Sequence, residues 1–259
     1  MSIKQKIAWL SVAVVCILTT ILFFAPATWL GMALAKNTGG RFDLGDVEGS
    51  LWNGSAFIGV AADRNGDLTP LLPGRFSWHL SPIVLIGQID LVLENPASLL
   101  QPVSVTGNFR HLQVSPSAVK LPSERLIGLG APLNTLKPSG EITLSWDPLS
   151  LSLAEGVVGV DGTMKLSMEK MASALSPVKP LGSYLMSFVW HGQVADLELK
   201  TVSGSLLLSG KGALVNGQLQ FSGEAQAQDG EENKLVNLLN LLGQRKPGVD
   251  KFVIGLEFK

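Results

Sequence analysis

One cysteine in 259 residues, Cys16, sits inside an apolar N-terminal run and leaves the rest of the chain without a thiol. Disulfide staples and thiolate metal sites are therefore excluded beyond it, and an oxidising compartment would do this chain no harm. Charge is scarce as well. Lys+Arg (20) and Asp+Glu (21) make up 16% of the residues and balance to −1, with Lys4 and Lys6 the only charges before Lys36. A chain so balanced has no electrostatic footprint for nucleic acid. The three histidines, His79, His111 and His191, stand far apart, without an H-x-x-x-H or H-E-x-x-H partner, so no metal ligand is nominated. Also missing are a G-x-S-x-G elbow, a G-x-x-x-x-G-K-[ST] phosphate loop and a G-x-G-x-x-G fingerprint. Carboxylates such as Glu48, Asp63, Asp147, Asp161 and Asp196 are scattered, as solvated charges are. The chain is read as no enzyme: no catalytic residue, no metal, no cofactor and no nucleotide.

What is plentiful is apolar and turn-forming. Hydrophobic residues are 46% of the chain, beside 28 Gly and 14 Pro, a balance that suits many short strands joined by tight turns. It also argues against disorder.

The uncharged run begins at Ile7, passes Phe24, Pro26 and Trp29 and ends at Ala35. At about 1.5 Å per residue the part from Ile7 to Leu30 can cross a hydrocarbon core of about 30 Å. Trp9 and Trp29 would mark its two interfaces, and Lys4, Lys6 and the α-amine would hold the N-terminus in the cytoplasm. Ala33-Leu34-Ala35 matches an A-x-A cleavage site, but a signal h-region is shorter and ends closer to the cut, so an uncleaved anchor is the better reading. The expected organisation is a cytoplasmic N-terminus over residues 1–6, a transmembrane signal anchor over 7–30, a linker over 31–40 and an exported β-rich domain over 41–259.

Beyond residue 40 the apolar residues alternate. Ile89-Asp90-Leu91-Val92-Leu93, Ile142-Thr143-Leu144-Ser145-Trp146 and Ala195-Asp196-Leu197-Glu198-Leu199 each bury one face and wet the other, and Leu219-Gln220-Phe221 and 252–258 repeat the pattern. Further strands are expected around 55–62, 75–80, 103–112, 163–168 and 184–194, about a dozen in all and mainly antiparallel. A loose Gly-x-apolar-x-apolar echo starts at Gly87, Gly140, Gly162, Gly204 and Gly217. Its spacing is irregular, which makes it a meander habit and not a solenoid.

Two helices are expected among the strands. Leu235, Leu238, Leu239 and Leu242 fall at i, i+3, i+4 and i+7, with Asp229, Glu231 and Glu232 before them, Gly243 at the end and Arg245 and Lys246 after it. This amphipathic helix is read as a lid packed on the sheet, with a partner-facing or lipid-facing surface as the alternative. A second, from Ser167 to Leu175, would put Met168, Met171, Ala172 and Leu175 on one side and stop before Pro177.

Two tryptophan motifs stand out. Gly49-Ser50-Leu51-Trp52-Asn53-Gly54 brackets a large ring between glycines, and Trp78-His79-Leu80-Ser81-Pro82 places another shortly before a proline. Physically both rings are core anchors at strand ends, with an exposed binding role as the alternative.

Taken together, these motifs resemble protein N of the bacterial type II secretion system. That family has a basic N-terminus and a signal anchor, then G-x-L-W-x-G, matched by Gly49, Leu51, Trp52 and Gly54, and W-x-L-x-P, matched by Trp78, Leu80 and Pro82. It ends in a leucine-rich helix, here Leu235 to Gly243, and a last strand. The resemblance implies a single-pass inner-membrane protein whose periplasmic domain is an accessory part of the machinery exporting folded proteins. Its partners would be other subunits of that system and membrane lipid. A distant similarity to AsmA-like envelope proteins implies a mainly β fold: an open, groove-like, curved and twisted antiparallel sheet with one or two short amphipathic helices.

Overall fold

The computed structural model describes residues 5, 9–10, 12–13, 16, 20, 24–37, 42–60, 69–70, 72–124, 137–154, 157–215, 217–242, 244–245 and 253–258. Alternation of apolar and polar residues yields strands over nearly all of it, and they join one antiparallel sheet. In chain order these are β1 (Phe42–Gly49), β2 (Asn53–Val60), β3 (Thr69–Pro70), β4 (Phe76–Leu80), β5 (Gln88–Glu94), β6 (Val103–Asn108), β7 (His111–Val114), β8 (Ser117–Pro122) and β9 (Pro138–Trp146). They continue as β10 (Leu149–Ala154), β11 (Val157–Ser173), β12 (Gly182–Gly192), β13 (Val194–Ser203), β14 (Leu206–Val215), β15 (Gln218–Ala227), β16 (Gln244–Arg245) and β17 (Val253–Phe258). Helix α1 is Thr28–Asn37, α2 is Glu232–Leu242, and a 3-10 turn, Pro82–Ile86, links β4 to β5.

Neighbours in sequence are neighbours in space. The pairing runs β1, β2, β4, β5, β6, β7, β10, β11, β12, β13, β14, β15, β17. The one excursion is β8–β9, with β9 sharing a side of the long β11 with β10. Among the described residues β1 pairs with nothing beyond β2, so the sheet is open.

Register keeps opposite residues on one face. Val119, Leu144, Leu166, Met186 and Leu199 stand in one row across five strands, and Trp146, Met164, Phe188, Leu197, Gly212 and Phe221 in the next. Near the first strands the same face carries Leu80, Leu91, Val105, Val114 and Leu149, again in register. One apolar face thus runs across the whole sheet, and the opposite face takes the Ser, Thr, Lys and Glu residues between.

Two bulges keep that face apolar. At Glu169–Met171 an extra residue enters β11, with Lys170 at φ 48° and its amide bonded to Ser183 Oγ at 3.0 Å. Alternation then resumes one residue late, so Met168 and Met171, three apart, pack on the same core. This corrects the expected helix from Ser167 to Leu175: its i, i+3 spacing is a bulge in β11. Asp46, at φ 50°, does the same in β1, placing Leu44 and Val47 together.

The core sits at the two ends of this face. At one, α2 sets Leu235, Leu238 and Leu239 against Tyr184, Leu199, Leu206, Phe221 and Ala225, as the leucine spacing predicts, with Leu242 packed alongside. Each of those three leucines contributes about 1.5–3 kcal/mol of burial. Gly243 lies outside the described residues. At the other end Ala27, Ala56 and Trp78 form a smaller core with Leu30, Leu44, Val47, Leu91 and Leu93.

The N-terminus departs from expectation after Phe24. Trp9, Leu10, Val12, Ala13, Cys16 and Thr20 are helical, but Pro26 bridges to Ser50, and a separate helix, α1, occupies most of the stretch expected as a linker and packs on β1. Among the described residues no helix is long and apolar enough to cross a membrane. Eleven of the 24 residues in the span expected over 7–30 lie outside that description.

Candidate functional site

The two tryptophan motifs, 24 residues apart at their glycine and tryptophan, meet in register: Gly54 pairs with Trp78 and Asn53 with His79. Both rings are buried, at 8% exposure each. The Trp78 ring packs against Gly54, where an added Cβ would fall 2.3 Å from its Cζ2, and its Nε1–H donates to Leu51 O at 3.1 Å. The second glycine of the first motif is thus the seat for the tryptophan of the second. Gly49 turns the chain at φ 86° with a Cβ position 2.4 Å from Asn53 O, space only glycine leaves open. Leu80 N–H donates to Trp52 O at 2.7 Å, and Pro82 opens the 3-10 turn that follows.

A third segment joins them. Leu51 N–H donates to Ala25 O at 2.8 Å and Ala27 N–H to Gly49 O at 3.2 Å, on either side of the Pro26–Ser50 bridge. The first motif therefore fastens Ala25–Ala27 of the apolar N-terminal run to β1, β2 and β4 at one point. Trp52, Asn53, His79, Leu80, Pro82 and Leu85 line a hollow of about 320 Å³ beside it.

Arg75 braces the junction from below. Its Nη1 pairs with Asp46, its Nη2 donates to Asp46 O at 2.6 Å and pairs with Glu48 at 3.3 Å, its Nε–H donates to Ser55 Oγ at 3.3 Å, and the guanidinium lies 4.8 Å from the Phe57 ring centroid. One cation thereby holds the β1 bulge, whose αL residue carries backbone strain, against β2. Its sequence neighbourhood, Gly74-Arg75-Phe76, carries no motif that would have singled it out.

Between its two cores the apolar face is half-buried. Trp146, Met164, Phe188 and Trp190 lie there, with both indoles satisfied: Trp146 Nε1–H donates to Ser115 O at 2.9 Å and Trp190 Nε1–H meets Met164 Sδ at 3.1 Å. The opposite face is an ordinary charged surface. Lys200, hydrogen-bonded to Glu198 at 2.9 Å, holds that carboxyl below the usual range, against some desolvation and with help from Lys211.

The histidines are not brought together. His79 bonds Asn53 Oδ1 through Nδ1; His111 opens β7; His191 faces Asp161 across β11 and β12, but Asp161 Oδ1 accepts from Gly192 N–H. Among the described residues no group of His, Cys, Asp or Glu could hold a metal ion. Of the motif residues, Gly49, Leu51, Trp52, Gly54, Trp78, Leu80 and Pro82 converge on one junction, while Leu235, Leu238, Leu239 and Leu242 form the lid at the other end.

A family model described as type II secretion system (T2SS), protein N matches residues 41–252. No curated protein and no solved structure matches the chain.

Proposed function

The chain belongs to the type II secretion system protein N family, and on that premise we propose that it is a membrane-anchored accessory component that braces the export machinery for folded proteins. In this reading the apolar run from residue 7 to Phe24 anchors it in the bacterial inner membrane, the part of the expected 7–30 span after Phe24 belongs to the sheet's fold, the N-terminus is cytoplasmic and the sheet stands in the periplasm. One observation carries the scaffold role: Ala25–Ala27 are bonded into the tryptophan junction, so the sheet is fixed to the end of its anchor and does not swing on a tether. An open sheet so held offers a one-sided edge at β1 for a neighbouring subunit to extend. The partners are other subunits of the secretion system. A photo-crosslinking residue in place of Glu48 or Asn53, in intact cells at native expression, should capture them; recovery of none counts against the scaffold.

A second reading is supported by the half-buried apolar face around Phe188 and Trp190: a surface that shelters acyl chains or another hydrophobic ligand. Native mass spectrometry of the gently purified chain should then show bound lipid. A clean apoprotein mass would remove this reading and leave the first intact.

A further inference from the structure

The 3-10 turn after β4 is built of aliphatic residues and buries none of them. Ser81 Oγ accepts from Ile83 N–H at its start, Gly87 closes it at φ 89°, and between these caps Ile83, Leu85 and Ile86 are 41%, 55% and 79% exposed. Single exposed aliphatics are ordinary, but three in one capped turn make a patch that water does not favour.

Its position gives the patch a partner. On one side Leu80 is bonded to Trp52, and the neighbouring Leu51 to Ala25, so the turn lies beside the point where the apolar N-terminal run meets the sheet. On the other side Gln88 pairs with Asn108, which puts the β6–β7 tip next in line, with Phe109 59% exposed. Arg110 O then accepts from Leu153 N–H, bringing up the β10–β11 tip, where Val157 and Val158 are also exposed. These tips share one rim of the sheet. Among the described residues the opposite rim carries Lys179, Asp229, Glu231 and Glu232, and the exposed apolar residues described there, such as Val202, stand singly.

We propose that this rim docks onto the lipid surface of the bilayer, with Ile83, Leu85, Ile86 and Phe109 entering the boundary between headgroups and acyl chains and Arg110 among the phosphates. The inference rests on the anchored reading above: an apolar segment that leaves the membrane at Phe24 and is welded to the sheet by Ala27 keeps this rim within reach of the headgroups. The strands then rise away from the bilayer instead of lying along it.

The test uses the full chain with Cys16→Ser and one new cysteine at a time, Ile86→Cys, Phe109→Cys or Val202→Cys, each carrying the fluorophore NBD. The protein is reconstituted in vesicles of phosphatidylethanolamine and phosphatidylglycerol, floated on a density gradient and checked for strand content by circular dichroism. Flotation of all three, with emission at 86 and 109 blue-shifted and quenched by doxyl-labelled lipid while 202 reports water, is the expected result. Flotation with labels at 86 and 109 as wet as at 202 overturns the docking rim and leaves the anchor standing. Failure to float overturns the anchored reading and this proposal with it. Should Phe109→Cys disturb the fold, Ile86→Cys decides alone, since its side chain is four-fifths exposed.

Discussion

At Gly54 a single methyl group is enough to unseat Trp78, because the added carbon would fall 2.3 Å from Cζ2 and 2.8 Å from Glu48 O. Neither neighbour can yield: one is a buried ring tied to Leu51 O, the other is backbone. Gly54→Ala should therefore lower stability by about 1–3 kcal/mol, read as a drop in denaturant midpoint with altered tryptophan emission. Tyr184 offers a cleaner probe, for it is the one tyrosine in the chain. Its hydroxyl donates to Leu206 O at 3.0 Å, and burial pushes its pKa far above the usual phenol value. In the unfolded chain the phenol ionises near its reference pKa of about 10. The unfolded state thus sheds a proton that the folded state keeps, so stability is intact below about pH 10 and falls as pH climbs above it. Tyrosinate absorbance near 295 nm should appear in one step with the loss of near-ultraviolet circular dichroism, not ahead of it. A simple titration at pH 10 in the native state would contradict the buried placement.

At the scale of elements, α2 stands or falls with its inward leucines. Leu239 is fully buried and Leu241, two residues on, is 53% exposed. Leu239→Ala should cost about 2–5 kcal/mol and Leu241→Ala almost nothing, both by denaturant unfolding. This helix was legible because its period of 3.6 is unbroken and its start is marked by acids. The strands were legible for the matching reason: Ile142, Leu144 and Trp146 alternate without interruption. The segment from Ser167 to Leu175 was not, because a bulge inserts one residue into a period of two and yields a spacing of three, which a helix also gives. Helix α1 was hidden by the uncharged run itself, since Trp29 to Ala35 continues it with no change in composition; only Pro26 hints that the chain turns there. The two tryptophan motifs were visible in sequence, but their meeting was not. Pairing of Gly54 with Trp78 depends on register, which no local pattern prints.

For the molecule as a whole, what decides order is the number of sides on which each strand is held. Strands β13, β14 and β15 are paired on both sides and lie under or beside α2, whereas β1 is paired on one side among the described residues. Hydrogen exchange should therefore be slowest in Ala195–Leu199 and Leu208–Leu214 and fastest in Phe42–Gly45, with the difference read as protection factors. Comparable protection at both ends would mean that something beyond the described residues covers β1.

The near-sequential pairing of the strands bears on how such a chain reaches its final form. A polypeptide delivered residue by residue, N-terminus first, can lay each new strand beside the one just completed, because almost every partner is already in place when it is needed. Contacts of short sequence separation close quickly. Only α2 and β17, which follow every other strand of the larger core, finish it, so until they emerge Tyr184 and Phe221 remain uncovered. Shortening the chain at its C-terminus should then leave an early-formed, soundly paired half joined to a sticky, unroofed one.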